Sequence, residues 1–283
     1  MLRIAVQSKG RLYDETMELL GEAGIKLTAV KRSLLVPSKN FPVEVLFLRD
    51  DDIPDTVATG TADIGIVGRN EVLEKNRKVH IVRNLGFSKC RLSLAVPNAA
   101  NYTGLEWFNG KKVATSYPVI LRKFFASKGI AADLHEISGS VEVAPGIGLA
   151  DAIFDIVSSG STLISNNLSE VEKVIDSEAV MIGGQPLSEE KQEILDELLF
   201  RIEAVKVAGD KKYILMNVPK DRLDTVLEIL PGIKSPTVLP LADAEWCSVH
   251  TVLDEKCFWE IINRLKAAGA EGILALDIEK MVL

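Results

Sequence analysis

The chain has 283 residues, of which 47% are hydrophobic and 26% are charged, the balance of a globular protein with more than one domain. Its net charge of -7 argues against a broad surface for the phosphate backbone of a nucleic acid, so we expect no nucleic-acid partner. Charges at Lys9 and Arg11 interrupt the first apolar stretch, so we expect no signal peptide. No apolar run approaches the roughly 18 residues of a membrane span. We therefore expect no membrane association and a cytoplasmic location. The three cysteines form no C-x-x-C pair, so we also expect no zinc site and no disulfide framework.

The first ninety residues alternate strands with amphipathic helices. This alternation predicts an α/β layer with a mostly parallel sheet. The predicted strands are "LRIAVQ", "VEVLFLR" and "DIGIVG", and the predicted helices are "LYDETMELLGEAG" and "DDDIPDTVATGTA".

A second α/β unit follows, and a third rhythm begins after "AGDKK". The second unit is predicted from "CRLSLAVP", "KKVATSY", the helix "PVILRKFFASKG", "ADLHEIS" and the strand "IFDIV". The last seventy residues predict the order strand, helix, strand, strand, helix, strand, which is typical of a ferredoxin-like module. Such a module leaves one sheet face open, so we expect the chain to associate with further copies.

The tract "SSGST", which follows "IFDIV", is the strongest candidate for a ligand site. Small residues let backbone N–H groups surround an anion, and their hydroxyls add further donors. Asp155 precedes the tract by three residues and is placed to accept hydrogen bonds from ribose hydroxyls. A ribose 5-phosphate would satisfy both features. We include Glu142 in this site, whose loop residues are Ser158, Ser159, Gly160, Ser161 and Thr162.

The alternative interpretation of this tract is structural. The same five residues are suited to a polar loop that caps a following helix, here "NLSEVEKVI", with Ser161 or Thr162 satisfying backbone groups. The P-loop pattern is absent because no Gly-Lys-Ser/Thr ending follows.

Cations follow two of the predicted strands in the first unit. Lys9 and Arg11 flank Gly10 at a strand-to-helix junction, where parallel sheets place their ligands. Together with Arg49 they are candidates for stabilising a pyrophosphate leaving group, although for each of them taken alone a solvated surface charge is the better explanation. Asp63, Gly65 and Tyr117 are candidates for binding a nucleotide base or ribose, with a tight turn or a half-buried aromatic ring as the alternative.

These segments together resemble the ATP phosphoribosyltransferase family. The resemblance is carried by "LRIAVQSKGRL", "ADIGIVGRN", "CRLSLAVP" and above all "SGSVEVAPGIGLADAIFDIVSSGSTL", and it extends through "SPTVLPLA" and "EKMVL" over nearly the whole chain. It looks like the long form, with a C-terminal regulatory domain. The family resemblance implies the first step of histidine biosynthesis, in which ATP and phosphoribosyl pyrophosphate are the substrates.

The resemblance further implies an architecture and a set of ligands. We expect two lobes of the type II periplasmic-binding-protein kind, with residues 1–90 and 183–211 in lobe I, 91–182 in lobe II, and 212–283 as an ACT-like ferredoxin domain. It implies Mg²⁺ dependence, inhibition by histidine, and a homo-oligomer between a dimer and a hexamer. By matching position, the candidate histidine contacts are Asn217, Ile233, Ser235, Thr237, Val252 and Gly272.

The expected reaction needs no protein nucleophile. N1 of the adenine attacks C1 of phosphoribosyl pyrophosphate, so the protein has to align two reactants and neutralise the departing pyrophosphate. The competing hypothesis is a small-molecule sensor, in which two similar lobes bind a ligand without turnover. The acid followed by the anion loop distinguishes the two, because an amino-acid receptor does not need a ribose-phosphate site.

Overall fold

The computed structural model describes residues 1–28, 33–231 and 235–283. The chain divides into two compact units, Met1–Glu18 with Ile25–Ile194, and Leu19–Gly24 with Leu195–Leu283. The first unit contains two sheets, which define a first and a second lobe, and the second unit contains one sheet of four strands. None of the helices in these ranges is long and apolar enough to cross a membrane.

The first lobe is built around a parallel core of three strands. The first of them runs parallel to both of its neighbours, as the strand and helix alternation predicts, so three carboxyl ends meet at one edge of the sheet. Fully buried Leu2, Ile4 and Val6 fix one face of the central strand against the core. The elements are β1 (Leu2–Gln7), α1 (Arg11–Glu22), β2 (Leu35–Pro37), β3 (Val43–Leu48), α2 (Ile53–Ala58), β4 (Ile64–Gly68), α3 (Arg69–Lys75) and β5 (His80–Asn84).

The second lobe repeats this design around an aromatic core that contains Phe108, Phe125 and Phe154. Its elements are β6 (Cys90–Pro97), β7 (Lys112–Thr115), α4 (Pro118–Lys128), β8 (Asp133–Glu136), β9 (Ala152–Val157), α5 (Ser161–Ser165) and β10 (Leu168–Ser177). The sheet order is β10-β6-β9-β7-β8, and β7 runs parallel to both β8 and β9. The carboxyl ends of these three strands therefore share one edge.

The segment "NLSEVEKVI" forms a strand, and the helix proposed there was wrong. Its apolar residues recur at helical spacing, but the pairing of β10 with β6 contains two register shifts, one after Glu170 and one after Lys173. Each bulge interrupts the alternation of faces. Residues on one face of a regular strand are two positions apart, but because of the bulges Val171, Val174 and Ile175 all pack on the same core.

The chain returns to the first lobe earlier than the sequence indicated. Strand β11 (Ala179–Gly183) pairs antiparallel with β4 and β5, which completes the order β2-β3-β1-β4-β11-β5. The return therefore lies between β10 and β11, so residues 179–182 belong to the first lobe. Helix α6 (Glu189–Gly209) follows.

The C-terminal sheet has the ferredoxin-like order β13-β14-β12-β15, with every pair antiparallel. Helices α7 and α8 cover one face through a core that includes Ile214, Met216 and Leu265. On the other face, Tyr213, Leu274 and Leu276 are exposed. The elements are β12 (Lys211–Pro219), α7 (Leu223–Ile229), β13 (Thr237–Pro240), β14 (Trp246–Asp254), α8 (Glu255–Ala267) and β15 (Glu271–Asp277).

Candidate active site

The three candidate catalytic cations lie at the carboxyl edge of the first-lobe sheet. The last residues of β1 and β3 are paired, so Lys9 and Arg49 leave neighbouring strands at the same edge. Arg49 forms an ion pair with Asp51 at 3.3 Å, and three quarters of its side chain is exposed. Arg11 begins α1 and donates to the carbonyl of Lys89 at 3.2 Å. All three residues are exposed at this edge.

The anion loop, Ser158–Thr162, follows β9 at the corresponding edge of the second lobe. Gly160 has a φ of 81°, a left-handed conformation that favours glycine and turns the chain into α5. The hydroxyls of Ser159 and Ser161 lie 3.0 Å apart, which orders the middle of the loop. Since β9 runs parallel to β7, the loop and Tyr117 leave the sheet at the same edge.

Two carboxylates stand beside this loop. Burial raises the pKa of Asp155 from 3.8 to about 6, the N–H of Ile156 opposes that rise, and the charge of Glu142 adds to it. The Ile156 bond is 2.8 Å long. Asp155 is therefore a carboxylate at neutral pH that lacks full solvation, which favours hydrogen bonds from a ligand's hydroxyl groups.

A charged cleft of about 700 Å³ separates the two lobes. Its first-lobe wall consists of the turn after β3 and helix α3, and its second-lobe wall consists of the start of α4 and the residues after β8. Both walls carry cations, which suits a polyanionic ligand. The cations that line it are Arg49, Lys75, Arg77 and Arg122, and the acids are Asp50, Asp51, Glu71, Glu74 and Glu136.

A buried polar network joins the two walls. Asn70 accepts a hydrogen bond from the Ser177 hydroxyl at 2.8 Å and donates to the Tyr117 hydroxyl at 3.2 Å and to Glu71 at 3.0 Å. Burial and the charge of Asp50 raise the pKa of Glu71 to about 7, and the Tyr117 hydroxyl lowers it in part. Burial and the nearby Glu71 and Asp155 carboxylates raise the pKa of Tyr117. Tyr117 therefore stays a neutral phenol between carboxylates of both lobes.

For Tyr117 the sequence left open a ring that stacks on a base and a half-buried aromatic ring at a helix start, and the ring is buried. Only 7% of the residue is exposed, because its ring packs in the aromatic core of the second lobe. Its hydroxyl reaches the interlobe network, so the part of Tyr117 nearest a ligand in the cleft is polar.

A second contact crosses the cleft through Glu74 of α3. Its two carboxylate oxygens accept the N–H groups of Val119 and Ile120 at 2.8 and 3.0 Å. These are among the first N–H groups of α4, which have no partner within the helix. An acid of the first lobe thus caps a helix of the second lobe, an arrangement that we call the α3–α4 clasp.

Asp63 and Gly65 are not among the residues that line this cleft. Asp63 accepts the N–H of Arg3 at 2.8 Å, which places it at the amino end of the parallel strands, and it pairs with Lys191 at 2.8 Å. A Cβ on Gly65 would lie 2.7 Å from Ile53 and 2.9 Å from Val57, so this glycine allows α2 to pack on β4. Both residues have structural contacts.

Three of the candidate effector residues, Asn217, Thr237 and Val252, lie on the open face of the C-terminal sheet. Ile214 and Met216 face the helices, so the alternate residues of β12, which include Tyr213 and Asn217, point to the other side. Val252 pairs with Tyr213, and Thr237 pairs with His250 of the same face, so both lie on that side as well. Gly272 has a φ of 56°, and Ser235 is exposed just before β13. Ile233 lies outside the described residues.

Sequence reasoning missed the residues that connect the lobes and hold the loop. Asn70 and Glu71 follow β4 directly at its carboxyl edge, and that position was a signal that could have identified them. Arg91, a lone charge in the apolar strand "CRLSLAVP", was a further signal. Glu74, Glu170 and Ser93 had none, because they act through long-range contacts.

Comparison with known proteins identifies the family. Residues 49–204 match the ATP phosphoribosyltransferase family, and residues 208–280 match the HisG C-terminal domain. Over 283 residues the chain is 68% identical to the ATP phosphoribosyltransferase of Bacteroides thetaiotaomicron and 69% identical to that of Bacteroides fragilis, with all of each chain covered. The chain belongs to the ATP phosphoribosyltransferase family. It is a transferase of the first step of histidine biosynthesis.

Solved structures agree with this assignment. The ATP phosphoribosyltransferase (HisG:HisZ) complex of Thermotoga maritima is 28% identical, with a TM-score of 0.63, and the match covers 72% of this chain and 96% of that one. A histidine kinase sensor domain similar to periplasmic binding proteins has a TM-score of 0.50 at 13% identity, with 74% of this chain and 91% of that one covered. The second likeness shows the two-lobed fold alone, so the sensor hypothesis has no support beyond architecture.

Proposed function

We propose that this ATP phosphoribosyltransferase joins C1 of phosphoribosyl pyrophosphate to N1 of the adenine of ATP, with release of pyrophosphate and inversion at C1. The observation that carries the proposal is the arrangement of Asp155 and the anion loop at a carboxyl sheet edge that borders a cation-lined cleft. A plain amino-acid receptor has no need for this combination.

Phosphoribosyl pyrophosphate occupies the second-lobe side of the site. The loop Ser158–Thr162 surrounds the 5-phosphate with N–H and hydroxyl donors. Asp155 accepts hydrogen bonds from the ribose hydroxyls, for which its partly desolvated carboxylate is suited. Glu142 stands next to Asp155 and is close enough to raise its pKa, so it acts on the same part of the ligand.

ATP occupies the cleft. Arg49, Arg77 and Arg122 are placed to bind its triphosphate, and the Tyr117 hydroxyl borders the adenine. Asp63 and Gly65, the other two residues first assigned to ATP, contribute by holding β4 and α2 in position. The cations and the Tyr117 hydroxyl that line the cleft are the observations that support the placement of ATP there.

Catalysis in this arrangement is a matter of alignment and charge. The second lobe holds C1, the cleft holds N1, and Lys9, Arg11 and Arg49 neutralise the pyrophosphate as the bond to C1 breaks. Alignment of two reactants replaces a bimolecular encounter, and in well-oriented systems it lowers the activation barrier by up to about 7–11 kcal/mol. No covalent intermediate with the protein is needed.

Mg²⁺ fits this site as an ion carried by the substrate. Among the described residues no three acidic, histidine or cysteine side chains are grouped to hold a metal. Mg²⁺ keeps several waters and binds phosphate oxygens with one or two carboxylates, so Glu142 and Asp155 are the protein groups that would hold it. When bound, the ion supplies charge neutralisation of the pyrophosphate.

Regulation and assembly are assigned to the C-terminal domain. We place the histidine inhibitor at Asn217, Ile233, Ser235, Thr237, Val252 and Gly272, of which the described members lie on or beside the open sheet face. The exposed apolar side chains of that face support a homo-oligomer, from dimer to hexamer. We place the protein in the cytoplasm, where its substrates are made.

The test of the proposed site compares the binding of the two substrates. Thr162→Ala removes a loop hydroxyl and should weaken phosphoribosyl pyrophosphate binding about ten-fold, while ATP binding changes less than about two-fold. Ser127→Ala is the matched control, because its exposed hydroxyl bonds the carbonyl of Phe124 within α4 and touches no residue of the loop. Calorimetric titration measures both ligands. Equal loss of both, or of neither, would remove the loop from the pocket.

A further inference from the structure

Arg91 connects the strand β6 to the first residue of the anion loop. Two of its guanidinium nitrogens contact the two carboxylate oxygens of Glu170 on β10, and a third, Nη1, donates to the carbonyl of Ser158 at 3.1 Å. The Glu170 carboxylate also accepts the Ser93 hydroxyl at 2.7 Å. The side chains of Arg91 and Glu170 are 32% and 26% exposed, so the pair is partly shielded from water.

The Ser158 contact fixes the orientation of a peptide group in the loop. A trans peptide is planar, and its carbonyl and N–H point in opposite directions. With the Ser158 carbonyl held by Arg91, the N–H of Ser159 lies in the same peptide plane and points away from Arg91. Arg91 therefore determines how the loop begins, as the left-handed Gly160 determines how it ends.

The charge of Arg91 is largely matched within the protein. The hydrogen bonds of Arg91 lower the pKa of Glu170, and those of Glu170 raise the pKa of Arg91. Bidentate pairing of this kind holds a guanidinium in one plane as well as neutralising it. The pair is thus suited to hold a carbonyl in place and poorly suited to serve as a free cation for phosphate.

We propose that Arg91 is a positioning residue for the anion loop, anchored by Glu170, and that it acts through the Ser158 peptide without binding the phosphate directly. The proposal rests on the proposed function, in which this loop holds the 5-phosphate. It assigns to "CRLSLAVP" and to β10 a task in substrate binding beyond the packing of the sheet.

The direction in which one substitution changes the affinity for phosphoribosyl pyrophosphate distinguishes positioning from direct charge attraction. Glu170→Gln makes the surroundings of the loop more positive but weakens the hold on Arg91. Positioning predicts that Glu170→Gln and Arg91→Lys both weaken phosphoribosyl pyrophosphate binding about ten-fold, with ATP binding within about two-fold of the parent protein. Direct attraction predicts instead that Glu170→Gln strengthens binding.

Asp176→Asn is the matched control for charge. Its carboxylate acts on Arg91 electrostatically, but it pairs with Lys173. The control should bind phosphoribosyl pyrophosphate like the parent protein. If Glu170→Gln fails to fold in a melting experiment, Ser93→Ala takes its place, since it removes one anchor of Glu170 and should weaken binding about three-fold.

Amide hydrogen exchange provides a readout that does not depend on substrate. The amides of Ser159–Thr162 should exchange faster in Arg91→Lys and Glu170→Gln than in the parent protein or Asp176→Asn. Unchanged exchange, or phosphoribosyl pyrophosphate binding that is equal or tighter in Glu170→Gln, would overturn the proposal. If Thr162→Ala shows that the loop does not bind this substrate, the proposed function fails, and the exchange data still decide whether Arg91 orders the loop.

Discussion

At the scale of single residues, Asp155 combines a functional advantage with a cost in stability. Its pKa is raised from 3.8 to about 6, chiefly by burial and then by Glu142, against the opposing bond from Ile156. Because the folded-state pKa exceeds the unfolded one, ionisation favours the unfolded chain. The penalty is absent below pH 3.8, grows up to about pH 6 and is complete above it. Substrate hydroxyl groups replace the missing solvation.

Asp155→Asn should therefore stabilise the substrate-free protein at pH 8. The amide oxygen keeps the bond to Ile156, and removal of the charge should raise the free energy of unfolding by about 2 kcal/mol at pH 8 and hardly at all at pH 4. Urea unfolding at the two pH values measures the difference. Phosphoribosyl pyrophosphate binding should fall at least about ten-fold in the same variant. A variant that is less stable than the parent protein at pH 8 would contradict the assignment of a buried charge.

At the scale of secondary-structure elements, the α3–α4 clasp is the main contact between helices of the two lobes. Glu74 caps α4 with two hydrogen bonds, so Glu74→Ala should lower the free energy of unfolding by about 1–2 kcal/mol and Glu74→Gln by less, since glutamine keeps one acceptor. The amides of Val119 and Ile120 should exchange faster in both variants.

Asn109→Ala is the control for the clasp. Asn109 accepts the N–H of Ala131 at 2.8 Å inside the second lobe, so its loss removes a comparable bond without crossing the cleft. It should leave the exchange of Val119 and Ile120 unchanged and leave the KM for ATP unchanged, whereas Glu74→Ala should raise that KM several-fold. Identical kinetics in the two variants would mean that the clasp serves stability alone.

The elements also show what a single sequence reveals. Strands β1 and β6 are short apolar runs, and helices α1 and α4 are longer stretches that are each followed by a glycine. These local signals were sufficient, and the four elements were predicted correctly. Strand β10 was mistaken for a helix because its bulges shift the alternation of faces. A bulge depends on the partner strand, which the local pattern does not contain.

The residues of the candidate site likewise divide into those that local sequence reveals and those that depend on distant parts of the chain. The anion loop and Asp155 are contiguous in the chain, so their chemistry could be read directly from "IFDIVSSGST". Glu74 and Glu170 acquire their contacts from residues 45 or more positions away, and Glu71 acquires its raised pKa chiefly from burial. Local sequence carries no sign of either. Asp63 is the opposite case, in which a local pattern indicated a ligand contact. Its carboxylate instead accepts the N–H of Arg3 at the start of β1 and pairs with Lys191.

At the scale of the whole molecule, histidine control is expected to reside in the C-terminal domain. Ser235→Trp should obstruct the proposed effector site and raise the histidine concentration for half-inhibition about ten-fold, within the usual range of 1–3 kcal/mol for allosteric coupling. Lys256→Trp is the control, because 90% of its side chain is exposed on α8. Light scattering must show the same assembly in all three proteins. Full histidine sensitivity in a correctly assembled Ser235→Trp protein would place the effector site elsewhere.

Product analysis decides whether the protein joins phosphoribosyl pyrophosphate to N1 of ATP. ATP labelled with ¹⁵N at N1 is incubated with phosphoribosyl pyrophosphate and Mg²⁺, and pyrophosphate release is followed together with the mass and nitrogen NMR spectrum of the nucleotide. Transfer to N1 should give one pyrophosphate for each ATP that gains a phosphoribosyl group, a large shift of the N1 resonance, and no release with either substrate alone. Release from one substrate alone, or a product with an unshifted N1 resonance, would contradict it.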